Sequence, residues 1–575
     1  MTSPTVRPAK PTGIRRFIPI LGWLPLYDRS WLTFDVIAGL TLWGLVVPES
    51  MAYAGLAGLP PQAGLYTLVV ALLVYALFGT SRHLSVGPTS ATAVLLASSV
   101  AAAVAVAAGD VSDPQTYVTY ASAFVLVVGL VFLVAGFAKL GFVTQFLSKP
   151  VMDGFVTGLA IYVAVGQLYK LFGVEKPSGN VLEKLVKIIQ ELPTANWTTF
   201  AIGAGALALL FILPRLSKRL PSGLVVLFAG IGLSTLLDLN GKYGVEVVGP
   251  LPAGLPSISI PTVPLTDYLA MILPAIAVVL VAFSEALGVA QEFAEKHGYE
   301  VDADQELVAH GATNIVSGLA GGMIAAGGMS GSAVKEGAGA RSQVTNMVAW
   351  AVTIITVLFL TPLFTSLPEA VLAALIIHAV WHLIVARKLA TLRDQAPHEV
   401  AFAVVALLGV LLIDVLEGMI IGLLASLLFV VYRSSRSHVS SLGRAPGPTG
   451  TYSDLRWHPE NTPVPGVLIV RPDETLYYAN WRSVRDSIKS LVDDMPTPPM
   501  AVVFDLSSQY ELDYTSTVGL EALVRELEAS GSDVLFVGLH APILRQDKSG
   551  LLAPIFEGHT FQTMDEAVRH AEGAM

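Results

Sequence analysis

His83-Leu84-Ser85-Val86-Gly87-Pro88-Thr89-Ser90-Ala91-Thr92 and, far downstream, Gly327-Gly328-Met329-Ser330-Gly331-Ser332-Ala333 each set glycine and hydroxyl residues at the mouth of an apolar stretch. A helix that begins partway across a bilayer turns unbonded N–H groups and the positive end of its dipole toward whatever lies in front of it. Such a start receives anions. Counted along the hydropathy pattern, one break opens the third apolar segment of the first half and the other the third of the second half. Matched interruptions of this kind point to a transporter's binding site.

The composition agrees with a membrane setting. Of 575 residues, 53% are hydrophobic and only 14% charged, and mean hydropathy is +0.65. A soluble chain carries nearer about 25% charged residues, so this is a polytopic membrane protein whose surroundings are lipid. A net charge of −10, with basic residues at membrane edges rather than in a stripe, implies no nucleic-acid partner. Zero cysteines exclude disulfides and cysteine metal sites. His378, His382, Trp381 and His310 have no metal-ligand company in the sequence, so no metal site and no cofactor are expected. Without a phosphate-binding loop ending in Lys-Ser or Lys-Thr, ATP-driven transport is not indicated. No nucleophile, base and orienter assemble from spacing, so enzyme activity is not expected.

Apolar runs near Phe34–Ala57, Gly64–Gly79, Ser90–Ala108, Tyr117–Ala138, Val151–Leu171, Thr198–Leu213 and Gly223–Leu237 form a first set of seven. Tyr268–Val289, Leu307–Ala320, Ser330–Ala340, Val344–Leu363, Ala370–Val385, Glu399–Leu412 and Met419–Tyr432 form a second. Several fall short of the about 20 residues a full span needs, so some helices are broken or tilted. Seven is odd, so two such halves take opposite topologies: fourteen transmembrane segments as 7+7 inverted repeats. With a cytoplasmic N-terminus, the inner loops carry Arg82, Lys139, Lys149, Arg215-Lys218-Arg219, Arg341 and Arg387-Lys388-Arg393, as the positive-inside rule requires. The Lys170–Glu191 loop alternates Lys and Glu and reads as a short amphipathic helix on the outer surface.

Residues 1–30 are polar, with Arg15-Arg16 and no signal-peptide core, and read as a cytoplasmic segment. The expected organisation continues with a transport domain over 31–435, a linker over 436–462 rich in Ser, Arg, Pro and Gly, and a soluble α/β domain over 463–575. In that last domain Val464–Val470, Ala501–Leu506 and Asp533–Leu539 read as strands, and Asn480–Val492, Thr517–Ser530 and Met564–Ala571 as helices. Strands alternating with helices at this spacing indicate a largely parallel sheet.

Three longer runs are Gly58-Leu59-Pro60-Pro61-Gln62-Ala63-Gly64-Leu65-Tyr66, Phe78-Gly79-Thr80-Ser81-Arg82-His83-Leu84-Ser85-Val86-Gly87-Pro88, and Ser330-Gly331-Ser332-Ala333-Val334-Lys335-Glu336-Gly337-Ala338-Gly339-Ala340-Arg341-Ser342-Gln343. Together with Ala294-Glu295-Lys296-His297-Gly298-Tyr299-Glu300-Val301-Asp302, they resemble the sulfate permease (SulP) family of anion transporters, and the C-terminal domain resembles the STAS domain that family carries. The resemblance implies a multi-pass α-helical membrane protein with a core and a gate domain, a cytoplasmic STAS domain, a homodimer in the plasma or inner membrane, and anion binding between the helix starts near Ser90 and Ser330.

The expected substrate-binding set is Glu49, Ser50, Tyr53, Ser90, Ala91, Thr92, Glu285, Met329, Ser330, Gly331 and Ser332. Glu49 and Glu285 lie inside apolar runs, where an ionised carboxylate costs at least about 2.5–3.5 kcal/mol. They are therefore read as proton carriers that balance the anion's charge, against the plainer reading of neutral, hydrogen-bonded carboxyls. Where many relatives show Ser-Arg-Ser, this chain has Ser330-Gly331-Ser332. Lys335, one turn on, either compensates for the missing charge or is a flank lysine that snorkels or pairs with Glu336. Thr515 and Ser516 are either an N-cap or a regulatory, phosphorylatable position. The resulting expectation is secondary active symport of a small anion by alternating access, sulfate first, with H⁺ as coupling ion. Bicarbonate, C4-dicarboxylates, coupling to Na⁺ and an anion channel are the alternatives, and a membrane-anchored sensor is a further class.

Overall fold

Pro48 interrupts the first membrane helix, α1 (Leu32–Leu56), without ending it. A proline in a helix interior leaves the carbonyl four residues earlier without its N–H partner, so the Gly44 carbonyl is open to other hydrogen bonds. This is a computed structural model, and it describes residues 17–107, 113–142, 149–177, 179–216, 222–381, 383–384, 397–413, 415–447, 451–546 and 550–573. Lys218, Arg219, Arg387, Lys388, Arg393, His382 and residues 1–16 lie outside these.

The first half continues with α2 (Pro61–Phe78), β1 (Ser85–Gly87), α3 (Ser90–Ala107), α4 (Pro114–Phe137) and α5 (Lys149–Phe172). After them come the surface helix α6 (Val181–Glu191), α7 (Trp197–Leu216) and α8 (Ser222–Leu237). The second half holds α9 (Ile272–His297), α10 (Ala303–Leu319), β2 (Ala326–Gly328), α11 (Met329–Gly337), α12 (Val344–Ile355), α13 (Glu369–Trp381), α14 (Pro397–Leu412) and α15 (Val415–Ser434). Every apolar run meets one helix, and α12 extends to Ser366 through a π turn and a 3₁₀ turn. Among the described residues, eight helices are long and apolar enough to cross a membrane, with shorter apolar helices beside them. The Lys/Glu-alternating loop is indeed helical: α6 starts on a capping box in which Asn180 and Glu183 satisfy each other's backbone N–H groups.

Helix packing sorts the segments into two groups. In one, α4 runs along α10 and α9, and α1 along α12 and α2; in the other, α5 runs along α14 and α13, and α13 along α7. Small residues make the closest approaches. A Cβ on Gly129 of α4 would lie 2.5 Å from the Ile315 nitrogen of α10, and one on Gly64 of α2 would lie 2.0 Å from the Ser50 carbonyl oxygen of α1. Backbones this near exclude any side chain. Gly64→Val is therefore expected to destabilise the domain by at least the about 1–3 kcal/mol of an overpacked core. The check is a lower melting temperature of the detergent-purified protein.

Two carboxylates missed as structural in the sequence hold the loops that flank the breaks. Asp35 of α1, fully buried, accepts from Arg341 N at 2.7 Å, Ser342 N at 3.2 Å, Ser342 Oγ at 2.7 Å, Thr345 Oγ1 at 3.0 Å and the Tyr27 hydroxyl at 3.0 Å. Glu306 of α10, 1% exposed, accepts from the Tyr75 hydroxyl at 2.8 Å, Thr80 N and Oγ1 at 2.6 Å each, and Ser81 N at 3.2 Å. The buried charges are tolerated because four or five donors each replace water.

Residues 1–426 form one compact unit and 427–575 another. The second unit is built on β3 (Val439–Arg444), β4 (Tyr452–Asp454), β5 (Val467–Pro472), β6 (Ala501–Asp505), β7 (Asp533–Val537) and β8 (Thr560–Phe561), in the sheet order β4-β3-β5-β6-β7-β8. β5 through β8 are mutually parallel, while β3 is antiparallel to β5 and β4 to β3. Helices α16 (Trp481–Asp493) and α17 (Tyr514–Ala529) cover one face with Val484, Ile488, Leu520 and Val524. Ala567, Val568 and Ala571 of α18 (Met564–Gly573) pack against the other. Double coverage explains the unbroken apolar run of β6. Within the stretch 436–462, expected as a linker, β3 and β4 instead extend the sheet, β3 between β4 and β5 and β4 at the edge.

Candidate functional site

β1 and β2 meet. They pair antiparallel, with Ser85 opposite Gly328, Val86 opposite Gly327 and Gly87 opposite Ala326, so strands from the two halves of the chain cross. α3 starts three residues after β1, and α11 directly after β2. The crossing brings the two interrupted helices into one place with their N-terminal ends near each other.

Each break is fixed by its own hydroxyls. Thr89 N donates to Thr92 Oγ1 at 3.1 Å and Thr92 N to Thr89 Oγ1 at 3.2 Å, a reciprocal cap on α3, and Thr92 Oγ1 also reaches the Ile324 carbonyl at 3.3 Å. Ser332 Oγ donates to the Gly328 carbonyl at 2.7 Å and accepts from Ser85 N at 2.9 Å. Thr92 and Ser332, both expected as ligands, thus spend their hydroxyls on holding the crossing. The α11 N-cap, Gly328, has no side chain to offer, and no side-chain cap bonds the first turn. The leading N–H groups of α11 are left for another acceptor.

The acids stand beside these ends. Ser330 Oγ donates to Glu49 Oε1 at 3.0 Å, joining α11 to α1 one residue beyond Pro48. Tyr53, one turn beyond Glu49 and 5% exposed, lies within electrostatic reach of both Glu49 and Glu285 of α9. Ser50 Oγ turns back to the Val47 carbonyl at 2.9 Å. Ala91 and Ser90 are buried, Gly331 packs against Ser85, and Met329 is 37% exposed. What the arrangement brings together chemically is helix-end N–H groups, the Glu49 carboxyl hydrogen-bonded to Ser330, and the Tyr53 phenol in electrostatic reach of Glu49 and Glu285.

Lys335 takes neither flank position. It is fully buried, and its Nζ donates to Asn346 Oδ1 at 3.1 Å and to the Leu84 carbonyl at 3.4 Å. Gln343 Nε2 at 3.0 Å and Asn346 Nδ2 at 3.3 Å converge on the same carbonyl. Glu336 instead pairs with Lys296 at 2.9 Å and His297 at 3.0 Å. The Lys335 amino group therefore sits directly behind β1. His310 lies inside α10, fully buried against Phe132 and Tyr75. Among the described residues, no group of three or more His, Cys, Asp or Glu is placed to hold a metal.

The sulfate permease family model matches residues 32–406, and the STAS domain model residues 458–567. The chain belongs to the sulfate permease family. Among relatives, this family member is 34% identical to a probable sulfate transporter, MT1781, of Mycobacterium tuberculosis, over 95% of this chain and 98% of that one. It is 30% identical to sulfate transporter 1.3 of Arabidopsis thaliana, over 97% and 87%. Its fold matches the murine solute carrier 26 member A9 anion transporter, solved in the inward-facing state, with a TM-score of 0.89 at 23% identity, covering 99% of this chain and 96% of that one. The transmembrane domain of the cyanobacterial bicarbonate transporter BicA matches with a TM-score of 0.60 at 24% identity, over 70% and 98%. Permeases of this kind are multi-pass membrane transporters rather than enzymes, and the C-terminal unit of this one is a STAS domain.

In that STAS domain the cap of α17 is Asp513, not Thr515 or Ser516. Asp513 accepts from Ser516 N at 2.8 Å and from Tyr478 N at 2.7 Å. Ser516 is fully buried, while Thr515 is exposed. Asp513→Ala is expected to cost the about 0.5–2 kcal/mol of a lost cap, read as a lower unfolding midpoint of the STAS transition.

Proposed function

We propose that this chain is a secondary transporter that carries a small anion, sulfate first, across the membrane by alternating access, coupled to protons through Glu49 or Glu285. The observation that carries the reading is the Ser330–Glu49 hydrogen bond at the meeting of two interrupted helices. An anion entering there meets N–H groups that favour negative charge. The same step brings that charge beside carboxyls able to take up a proton, so charge enters balanced. Ser90, Ser330 and Met329 face the anion in this reading; Thr92, Ser332, Gly331 and Ala91 shape its pocket; Lys335 supplies positive potential from behind β1 in place of the absent arginine. The near full-length relatives named as sulfate transporters support sulfate, and the likeness to an inward-facing transporter supports an inward-facing state.

The protein works as a homodimer in the cell's plasma or inner membrane, with both termini and the STAS domain cytoplasmic. The test is uptake of labelled sulfate, bicarbonate or fumarate into proteoliposomes, with and without an imposed pH gradient. Sulfate accumulation driven by the gradient is the expected result. Flux that never exceeds equilibration would favour a channel, and gradient-driven uptake of bicarbonate or fumarate but not sulfate would move the substrate assignment.

A further inference from the structure

One turn beyond Glu49, at Ala52, α1 enters the wall of a cavity of about 600 Å³. The turn from α1 into α2 continues that wall, and facing it are Tyr169 and Lys170 at the end of α5, Glu246, and Glu369 at the start of α13. It sits at the membrane face opposite Asp35 and Arg341, which the positive-inside assignment makes the outer face.

Lys170 is the centre of this cavity. Its Nζ pairs with Glu369 Oε2 at 2.8 Å, with the two side chains 14% and 30% exposed. The ammonium also rests against α1, since a Cβ on Gly55 would lie 3.6 Å from it. Glu369 is itself held by its backbone, its N–H donating to the Glu246 carbonyl at 3.0 Å. Lys176 lines the same cavity from an exposed position. Partial desolvation, and then the Lys170 charge, hold its pKa below the usual lysine value.

A largely buried ammonium must keep an anionic partner, because removing one member of such a pair strands the other. The cavity's lining charges are Lys170 and Lys176 against Glu175, Glu246 and Glu369, so it has no net positive field to collect anions. An anion can be held there only by replacing a carboxylate. Resting on the transport reading, we propose that Lys170 is a second, outer site for the transported oxyanion, occupied by Glu369 in the conformation described here and yielded to substrate by exchange when the outer end opens. A carboxylate and a sulfate present the ammonium with the same oxygen acceptors, which makes the exchange chemically even-handed.

The two partners then have opposite effects on entry from the cavity side. Labelled sulfate uptake is measured in right-side-out and everted membrane vesicles, giving a KM for each face. Glu369→Gln removes the competitor and is expected to lower the outer KM three- to tenfold, with the inner KM unchanged. Lys170→Gln is expected to raise the outer KM at least tenfold, again on that face alone. If both variants shift KM in the same direction, or shift both faces equally, the pair is a structural lock and the proposal is overturned. Should Lys170→Gln fail to fold, the sign of the Glu369→Gln effect decides alone: an unchanged or higher outer KM sinks the idea. Absence of flux of sulfate, bicarbonate and fumarate alike in the wild type would refute the transport reading itself, a different outcome from flux with the wrong sign pattern.

Discussion

The double variant Glu49→Gln/Glu285→Gln is expected to equilibrate sulfate across a proteoliposome membrane but not to concentrate it, where the wild type concentrates it about tenfold per coupled proton for each unit of imposed pH gradient. The magnitude follows from the about 1.4 kcal/mol that one pH unit supplies to each proton moved. Glutamine keeps the shape of the carboxyl and still accepts the Ser330 hydroxyl, so the cradle at the β1–β2 crossing persists. What disappears is the group that binds and releases a proton. Downhill flux should continue. The single variants assign the carrier: the one that abolishes accumulation alone is the coupling residue, and the other is a neutral neighbour. If the double variant still concentrates sulfate like the wild type, protons do not travel by these two side chains.

Lys335→Met should weaken anion binding by about 10- to 100-fold in KM, the about 1.5–3 kcal/mol typical of an interaction with a charged group. Methionine fills the aliphatic stem's space but leaves the site without its buried positive charge, and the Leu84 carbonyl still keeps Gln343 and Asn346 as donors. The fold should therefore survive, with a melting temperature within a few degrees of the wild type. A large fall in melting temperature with an unchanged KM would make Lys335 only a pin under β1. Salt sharpens the distinction, since a buried charge is screened far less than an exposed one and the KM effect should persist at high ionic strength.

Much of this architecture is legible in the sequence because lipid leaves a strong mark on composition. Every apolar run found by hydropathy corresponds to a helix, including the nine-residue α11, whose Gly-Gly and Ser-Gly-Ser entry betrays it. α9 is the least well bounded: its apolar run extends from Tyr268 to Val289, whereas the helix starts at Ile272 and continues to His297, because polar residues of its last two turns hide a helix that leaves the membrane. The β1–β2 crossing is not legible at all. Three-residue strands containing Gly87, Gly327 and Gly328 have no strand propensity, and their pairing is long-range. The roles of Asp35 and Glu306 are equally hidden, since a carboxylate near a helix end looks solvated until its donors arrive from distant loops. Lys335 misleads for the converse reason: a lysine near a helix end ordinarily reaches water, and only the fold shows Leu84 and Asn346 waiting for it. Thr515 and Ser516 carry the hydroxyls a cap or a phosphorylation site would use, but Asp513, within three residues, does the capping.

Because β1 and β2 are ladder partners, with Ser85 opposite Gly328, the ion cradle has a birth date during synthesis. About 240 residues separate them, so at about 5–20 residues per second the first strand waits roughly 10–50 s for its mate to emerge. Throughout that interval its peptide groups have no ladder inside a hydrocarbon medium that offers none. A ribosome product that stops short of Ala326 never acquires the strand that β1 pairs with.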